Sequence, residues 1–145
     1  MDVNDSPWGC YPETILLFPE LQLRIDLRDP LGAETATLLR GALGDTFAVV
    51  TADYPNGMEL TDSENEVRFD QLREYLNERD LQYIRADGVS TDDAHCERGV
   101  AVIAEQGLAC EIATHFNQLG IFWFDGDGFW LVPVIRQSEA VRLPV

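Results

Sequence analysis

The amino-acid sequence predicts a single domain of the α+β or α/β class, in which a mixed β-sheet of about five to six strands packs with about three helices. Two observations predict this class. Apolar residues recur with the period of a strand in some segments and with that of a helix in others. The 145 residues, 46% of them hydrophobic, are enough to build one core. We therefore expect a globular domain at residues 15–136 between an N-terminal tail (1–14) and a C-terminal tail (137–145).

The first elements are expected between residues 21 and 57. Apolar and polar residues alternate over residues 21–27, which is typical of a half-buried strand. Residues 33–43 have the pattern of a short helix that ends before Gly44. The β-branched run at residues 46–52 predicts a buried strand, and the turn-forming residues 53–57 follow it.

The clearest local signal begins the second helix. Thr61 and Glu64 have the spacing of a capping box, in which each side chain bonds a backbone N–H of the other residue. Phe69, Leu72 and Leu76 follow at helical spacing, so the helix is expected to continue to about residue 79. A strand at residues 81–86 and a polar, acidic loop at residues 87–94 are expected next.

The last third of the domain is predicted to contain a strand, a helix and a hairpin. Residues 99–104 have the composition of a buried strand, and residues 105–116 present one apolar helical face. Apolar runs at residues 119–124 and 129–134 flank Asp125-Gly126-Asp127-Gly128, which is a strong hairpin signal. Pro133 has no N–H for a sheet, so the last strand is expected to lie at an edge or to end there.

The charge of the chain excludes some classes of partner. There are 26 acidic and 10 basic residues, all of the latter arginine, and the formal net charge is −16. Nonspecific nucleic-acid binding requires a positive surface that releases counterions from phosphates, so direct nucleic-acid binding is not expected. An anionic membrane surface is disfavoured for the same reason, and no apolar run approaches the roughly 20 residues of a membrane helix.

The sequence also favours a cytoplasmic protein without a cofactor. Residues 1–12 have neither the basic region nor the apolar run of a signal peptide. An odd number of cysteines, Cys10, Cys96 and Cys110, is most simply interpreted as reduced thiols. Without lysine, the chain has neither a P-loop nor a Schiff-base residue, and it has no Gly-rich nucleotide motif.

Asn65 and Glu97 are candidate site residues. Asn65 starts the stripe that continues with Phe69 and Leu72, so its amide should face the core and needs hydrogen-bond partners. It could orient a ligand, or it could tie down the loop at residues 53–57. Glu97 precedes the buried strand at residues 99–104, where burial would raise its pKa towards general acid/base use. The alternative for Glu97 is a surface salt bridge.

A metal site is not expected. Cys110 and His115 are five residues apart on one predicted helix, and His95 and Cys96 are adjacent, so neither pair can share a zinc ion. The turn that begins at Asp125 resembles the start of a calcium loop but lacks the later ligands.

Four carboxylates form a ridge on the second helix. They recur every four residues on the face opposite Phe69 and Leu72, and they are Glu66, Asp70, Glu74 and Glu78. Like charges at this spacing destabilise a helix slightly, so one hypothesis is that the ridge docks a basic protein partner. The alternative is a solvated face in a protein that is acidic throughout.

Four short motifs follow one another in a recognisable order. They are a strand ending in Thr51-Ala52 before a Pro-containing turn, Ser63-Glu64-Asn65 at a helix start, Glu97 before an apolar strand, and Phe116-Asn117-Gln118 before another strand. Together they resemble DUF3293, a bacterial family of unknown function. The resemblance extends over about residues 15–134. The sequence departs from the family pattern at Tyr54, where Asn is usual, and at Arg98-Gly99, where Pro-Ser is usual.

The resemblance implies no activity, cofactor or partner. It does imply that Thr51, Asn65, Glu97 and Gln118 meet at one end of the sheet, where open sheets gather ligands. The leading hypothesis is a small binding or regulatory domain that engages a small molecule through this polar cleft, or a basic protein through the acidic ridge. The alternative is an enzyme in which Glu97 is the general acid/base and Asn65 and Gln118 orient the substrate.

Overall fold

The computed structural model describes residues 8–55, 58–92, 94–134 and 139–145. Its strands are β1 Ile15–Phe18, β2 Leu23–Asp26, β3 Phe47–Thr51, β4 Tyr83–Arg85, β5 Asp87–Val89, β6 Cys96–Glu97, β7 Gly99–Val102, β8 Gly120–Phe124, β9 Phe129–Pro133 and β10 Val141–Arg142. Its helices are α1 Ala33–Leu43, α2 Asp62–Glu78 and α3 Gln106–His115. None of these helices is long and apolar enough to cross a membrane.

The strands form two sheets. A six-stranded sheet has the order β10-β9-β8-β3-β7-β4, and a four-stranded sheet has the order β2-β1-β5-β6. The α+β class with three helices is confirmed. The sheets differ from the prediction in two ways, because a second sheet is present and every pairing in the described ranges is antiparallel. The predicted mixed sheet would contain some parallel neighbours, whereas β3 lies between β7 and β8, which both run opposite to it.

One bent hairpin joins the two sheets. Tyr83 lies opposite Val102 in the larger sheet and Val89 lies opposite Cys96 in the smaller one, in a single continuous register. At the bend, the N–H of Ala86 donates to the carbonyl of Gly99 at 2.9 Å. A Cβ atom on residue 99 would lie 2.7 Å from the carbonyl oxygen of Ala86. The glycine therefore permits the close approach of the two backbones. The bend brings β6 beside the end of β3.

The central strand β3 contributes to a core on each face of its sheet. Phe47 and Val49 face α1 and the smaller sheet, where they pack with residues such as Leu39. The alternate residues Ala48 and Val50 face α2 and α3, as the two-residue period of a strand requires. Both faces of β3 are therefore covered.

The helices follow their local signals closely. Helix α1 ends at Leu43 and is capped by Gly44, which has a φ of 93°. The capping box of Thr61 and Glu64 is present at the start of α2, and the C-cap of that helix is Arg79. Asn65 is buried on the stripe that it was predicted to share with Phe69. Strand β9 ends at Pro133 as expected.

Several strands were misplaced or missed. Strand β1 was not predicted, because four consecutive apolar residues show no alternation. The segment predicted as an acidic loop at residues 87–94 contains β5, which is stabilised by pairing with β1 and β6. The predicted C-terminal tail contributes β10, which pairs with β9, and buries Leu143. Some residues of the predicted tails, turn, loop and domain end lie outside the described residues, namely 1–7, 56, 57, 93 and 135–138.

Candidate functional site

Side chains from several elements form hydrogen bonds with the chain at the end of β3 and just after it. We call residues 51–54 the Asp53 corner. Gln118, which is 2% exposed, lies between α3 and β8 and bonds both ends of this segment. Its Oε1 accepts from Oγ1 of Thr51 at 2.7 Å, and its Nε2 donates to the carbonyl of Asp53 at 3.1 Å. The amide of Gln118 is therefore used within the protein to fix the corner.

Helix α2 supplies two further contacts to the same segment. Oδ1 of Asn65 accepts the N–H of Tyr54 at 3.1 Å, and Nε of Arg68 donates to the carbonyl of Ala52 at 2.6 Å. The guanidinium of Arg68 also donates to the carbonyl of Phe116, at the end of α3. Because the capping box fixes where α2 starts, it also fixes where Asn65 and Arg68 meet the corner.

The backbone of the corner adopts an uncommon conformation. Tyr54 has a φ of 51° and Asn117, beside Gln118, has a φ of 57°, both in the left-handed region. For a residue with a side chain this conformation costs roughly 1–2 kcal/mol. The ring of Tyr54 stacks on that of His95 with 4.4 Å between centroids, which helps to hold it. Such strain persists only where surrounding contacts determine the conformation.

These contacts position the carboxyl of Asp53, which is 1% exposed. Its Oδ2 accepts the backbone N–H of Arg98 at 3.0 Å. Its Oδ1 is buried and has no hydrogen-bond partner among the described residues. Desolvation by burial raises the pKa of Asp53, against the opposing effects of the hydrogen bond from Arg98 and its charge.

A second carboxyl with a raised pKa lies near Asp53. Glu97 is half-buried in β6, and desolvation, followed by the charge of Asp53, raises its pKa to about 8. Tyr11 is close enough that the charge of Glu97, after desolvation, also raises the pKa of the Tyr11 hydroxyl. The corner thus holds two carboxyls in surroundings that favour their protonated forms.

The model of the family described as "Protein of unknown function (DUF3293)" matches residues 50–121. This match confirms the predicted resemblance to DUF3293 over these residues. The match is shorter than the expected resemblance over residues 15–134, but it includes the whole Asp53 corner, α2, Glu97 and Gln118. No curated protein and no solved structure matches the chain.

Within the DUF3293 segment, the four residues predicted to bind a ligand surround the Asp53 corner. Thr51 and Gln118 bond each other, Asn65 bonds Tyr54, and Glu97 lies near Asp53. The bond of Asn65 agrees with the interpretation that its amide ties down the loop, and the amide of Gln118 has the same use. Direct contact between a ligand and any of the four stays a prediction.

The acidic ridge on α2 is solvent-exposed but not uniformly negative. All four of its carboxylate residues are exposed, namely Glu66, Asp70, Glu74 and Glu78. Asp70 forms an ion pair with Arg73, and Glu78 lies 4.0 Å from the guanidinium of Arg79. Docking of a basic partner on this ridge stays a prediction.

Three residues that form the Asp53 corner or contact it were not predicted as site residues, namely Asp53, Arg68 and Arg98. Asp53 was assigned only to a turn, although it is the first charged residue after a buried strand. Arg68 lies three residues after Asn65 and four before Leu72, so helical spacing could have placed it on the same face. The approach of Arg98 has no local signal, because it depends on the bend at Gly99. No group of three His, Cys, Asp or Glu in the described ranges could hold a metal ion.

Proposed function

We propose that this protein is a binding domain that takes a small molecule at the Asp53 corner, through a group that donates hydrogen bonds to Asp53 and Glu97. One observation carries the proposal: Oδ1 of Asp53 is a buried acceptor without a hydrogen-bond partner. Buried polar atoms of this kind are rare in folded proteins. A donor from a ligand would supply the missing bond.

The energetics of the corner support this role. Leaving a buried acceptor unpaired costs about 1–3 kcal/mol. Meanwhile Gln118, Arg68 and Asn65 fasten the backbone on both sides of Asp53 without engaging its Oδ1. A corner selected only for stability would pair this oxygen or replace the aspartate. A preorganised binding site requires instead a backbone held by hydrogen bonds around an acceptor that stays unpaired, as Oδ1 of Asp53 does among the described residues.

Native mass spectrometry tests the proposal. The untagged protein, purified at low salt from its own cells, is expected to retain a reproducible small extra mass. Asp53→Asn should lose that mass, because the amide replaces the acceptor with a donor at one position. Asp92→Asn is the matched control, since Asp92 is exposed and its carboxylate accepts from Ser90 and Ala94 of its own turn. A bare wild-type protein, or the same mass on Asp53→Asn, would contradict the proposal.

A second candidate is an enzyme in which Glu97 acts as the general acid/base. The pKa of about 8 favours it, because a general acid/base works best when its pKa lies near the operating pH. In this case Gln118 and Asn65 would act by positioning the corner. Incubation with a metabolite extract should then show a turnover that Glu97→Gln abolishes while its melting temperature is maintained. Turnover that persists in Glu97→Gln would rule out this role.

The remaining expectations concern location and partners. A cytoplasmic location agrees with the two described cysteines, Cys96 and Cys110, being free thiols.

If a basic protein binds the acidic ridge, Glu66→Gln with Glu74→Gln should weaken the complex, and association should slow as salt rises. Association that is independent of salt would contradict docking on this ridge.

A further inference from the structure

A groove of about 370 Å³ lies between α2 and the bent hairpin. It is lined by two carboxylates, one aromatic ring and three arginines, namely Glu66, Asp70, Phe69, Arg73, Arg85 and Arg98. The whole chain has only 10 basic residues against 26 acidic ones. Three of these ten basic residues therefore lie at one groove, beside two of the acidic ones.

Each of the three guanidinium groups is held by one carboxylate through one nitrogen. Arg73 donates to Asp70. The Nε of Arg85 donates to Asp87 at 2.7 Å, and Arg98 donates to Asp62. A guanidinium carries five N–H donors, so these single contacts fix the position of each group and leave other donors for a ligand.

The aromatic ring fixes two of the arginines further. The guanidinium carbons of Arg85 and Arg73 lie 4.6 Å and 5.1 Å from the centroid of Phe69. Stacking on a ring restricts the orientation of a guanidinium before any ligand arrives. Phe69 itself is buried, so this support belongs to the core and not to a flexible surface chain. Less conformational entropy is then lost on binding.

Arg98 adds an independent observation. Its Nη1 is buried and has no hydrogen-bond partner among the described residues. A buried donor on a charged group is costly to leave unpaired. The carboxylate of Asp62 already occupies Nη2 and does not reach this nitrogen. An acceptor from outside the protein would complete the hydrogen bonding of the guanidinium.

We propose that this groove binds the phosphate group of a small phosphorylated molecule. Guanidinium forks match the oxygens of a phosphate, and the N–H donors that the paired carboxylates leave open, Nη1 of Arg98 among them, can hold those oxygens. Glu66 and Asp70 at the same groove already oppose one anionic group and would oppose a second more strongly, so a phosphate monoester with an uncharged remainder fits best. Arg98 is shared with the Asp53 corner through its backbone N–H, but the proposal rests on its guanidinium and not on the function proposed for that corner.

NMR titration with inorganic phosphate, at constant ionic strength, tests the proposal. The arginine Nε–Hε signals of Arg73, Arg85 and Arg98 are expected to shift saturably. Arg98→Gln and Arg73→Gln should each weaken phosphate binding about tenfold or more. The matched control is Arg28→Gln, since Arg28 also pairs with a neighbouring carboxylate, Asp26, but is remote from the groove. It should leave the affinity unchanged.

The outcomes separate this site from the Asp53 corner and from weak ion binding. Asp53→Asn should retain phosphate binding, and acetate should bind at least about tenfold more weakly than phosphate. If Arg98→Gln does not fold, the exposed residue Arg73 supplies the decisive variant. The proposal is overturned if no signal saturates below roughly 100 mM phosphate. It is also overturned if Arg28→Gln weakens binding as much as Arg73→Gln, or if acetate binds as well as phosphate.

Discussion

Two aspartates that follow strands of the six-stranded sheet have opposite surroundings. Asp125 follows β8, and its Oδ1 accepts two backbone N–H groups of the next turn, at 2.8 and 2.9 Å. Its Oδ2 accepts from the indole of Trp130 at 2.8 Å and from the guanidinium of Arg142. Asp53 follows the antiparallel neighbour β3 and accepts one hydrogen bond at its carboxyl, from Arg98.

The pKa values of these two carboxyls are shifted in opposite directions, in line with their hydrogen bonding. Desolvation alone would raise the pKa of Asp125, but the hydrogen bonds from Trp130 and the turn, with the charge of Arg142, lower it. At Asp53, desolvation prevails and the pKa is raised. The contrast shows that the fold can satisfy a carboxylate completely where it closes a hairpin, and that it does not do so at Asp53. We infer that Asp125 serves stability and Asp53 serves binding.

The largest expected effect is a dependence of stability on pH at the Asp53 corner. Burial raises the pKa of Glu97 from 4.5 to about 8, so between these values the folded protein keeps a proton that the unfolded chain releases. The free energy of unfolding should therefore fall as pH rises from about 4.5 to 8, by on the order of 2–4 kcal/mol. Asp125 acts in the opposite sense, since its lowered pKa adds stability that is lost as pH falls.

Urea unfolding at about pH 5 and pH 8 measures this effect. Glu97→Gln should show a flatter profile than the wild type over this range, because it has no carboxyl to ionise. Glu74→Gln, on the exposed ridge, is the matched control and should follow the wild type. Parallel profiles for Glu97→Gln and the wild type would contradict the assignment.

The next largest effect is expected from replacing Asp125, the aspartate whose two carboxylate oxygens both accept hydrogen bonds. In Asp125→Asn, the new amide group cannot accept from both the turn and Trp130, so partly buried donors lose their acceptor. The free energy of unfolding should fall by about 2–3 kcal/mol. Asp127→Asn, an exposed residue of the same turn, should change it by less than about 0.5 kcal/mol. Equal effects at both positions would show that the hydrogen bonds of Asp125 contribute little.

A smaller effect is expected from loosening the support of Asp53. Gln118→Leu removes the acceptor of Thr51 and the donor to the carbonyl of Asp53, while it nearly conserves volume. A loss of about 1–2 kcal/mol is expected from these unpaired groups, together with weaker ligand binding. Gln71→Leu on the exposed face of α2 controls for the change of residue type. Unchanged ligand affinity in Gln118→Leu would show that the hydrogen bonds of Gln118 are not needed for ligand binding, and would contradict this prediction.

The sequence was informative where structure depends on near neighbours. The capping box of Thr61, the glycine after α1 and the burial of Asn65 all follow from spacing within one or two helical turns. The surroundings of Asp53 depend instead on Arg98, which is 45 residues away and is delivered by the bend at Gly99. The short strand β5 likewise forms through pairing with distant strands and not through its own propensity. Such long-range contacts leave no periodic pattern in a single sequence.

The most direct test of the account compares the stability of Asp53→Asn and Asp125→Asn by urea unfolding at about pH 7.5. If Asp53 is kept under-satisfied for binding, Asp53→Asn should be as stable as the wild type or more stable by up to about 1 kcal/mol, because it removes a poorly solvated charge. Asp125→Asn should be less stable under the same conditions. A loss at Asp53→Asn as large as that at Asp125→Asn would show that Asp53 is a structural residue, and would contradict the account.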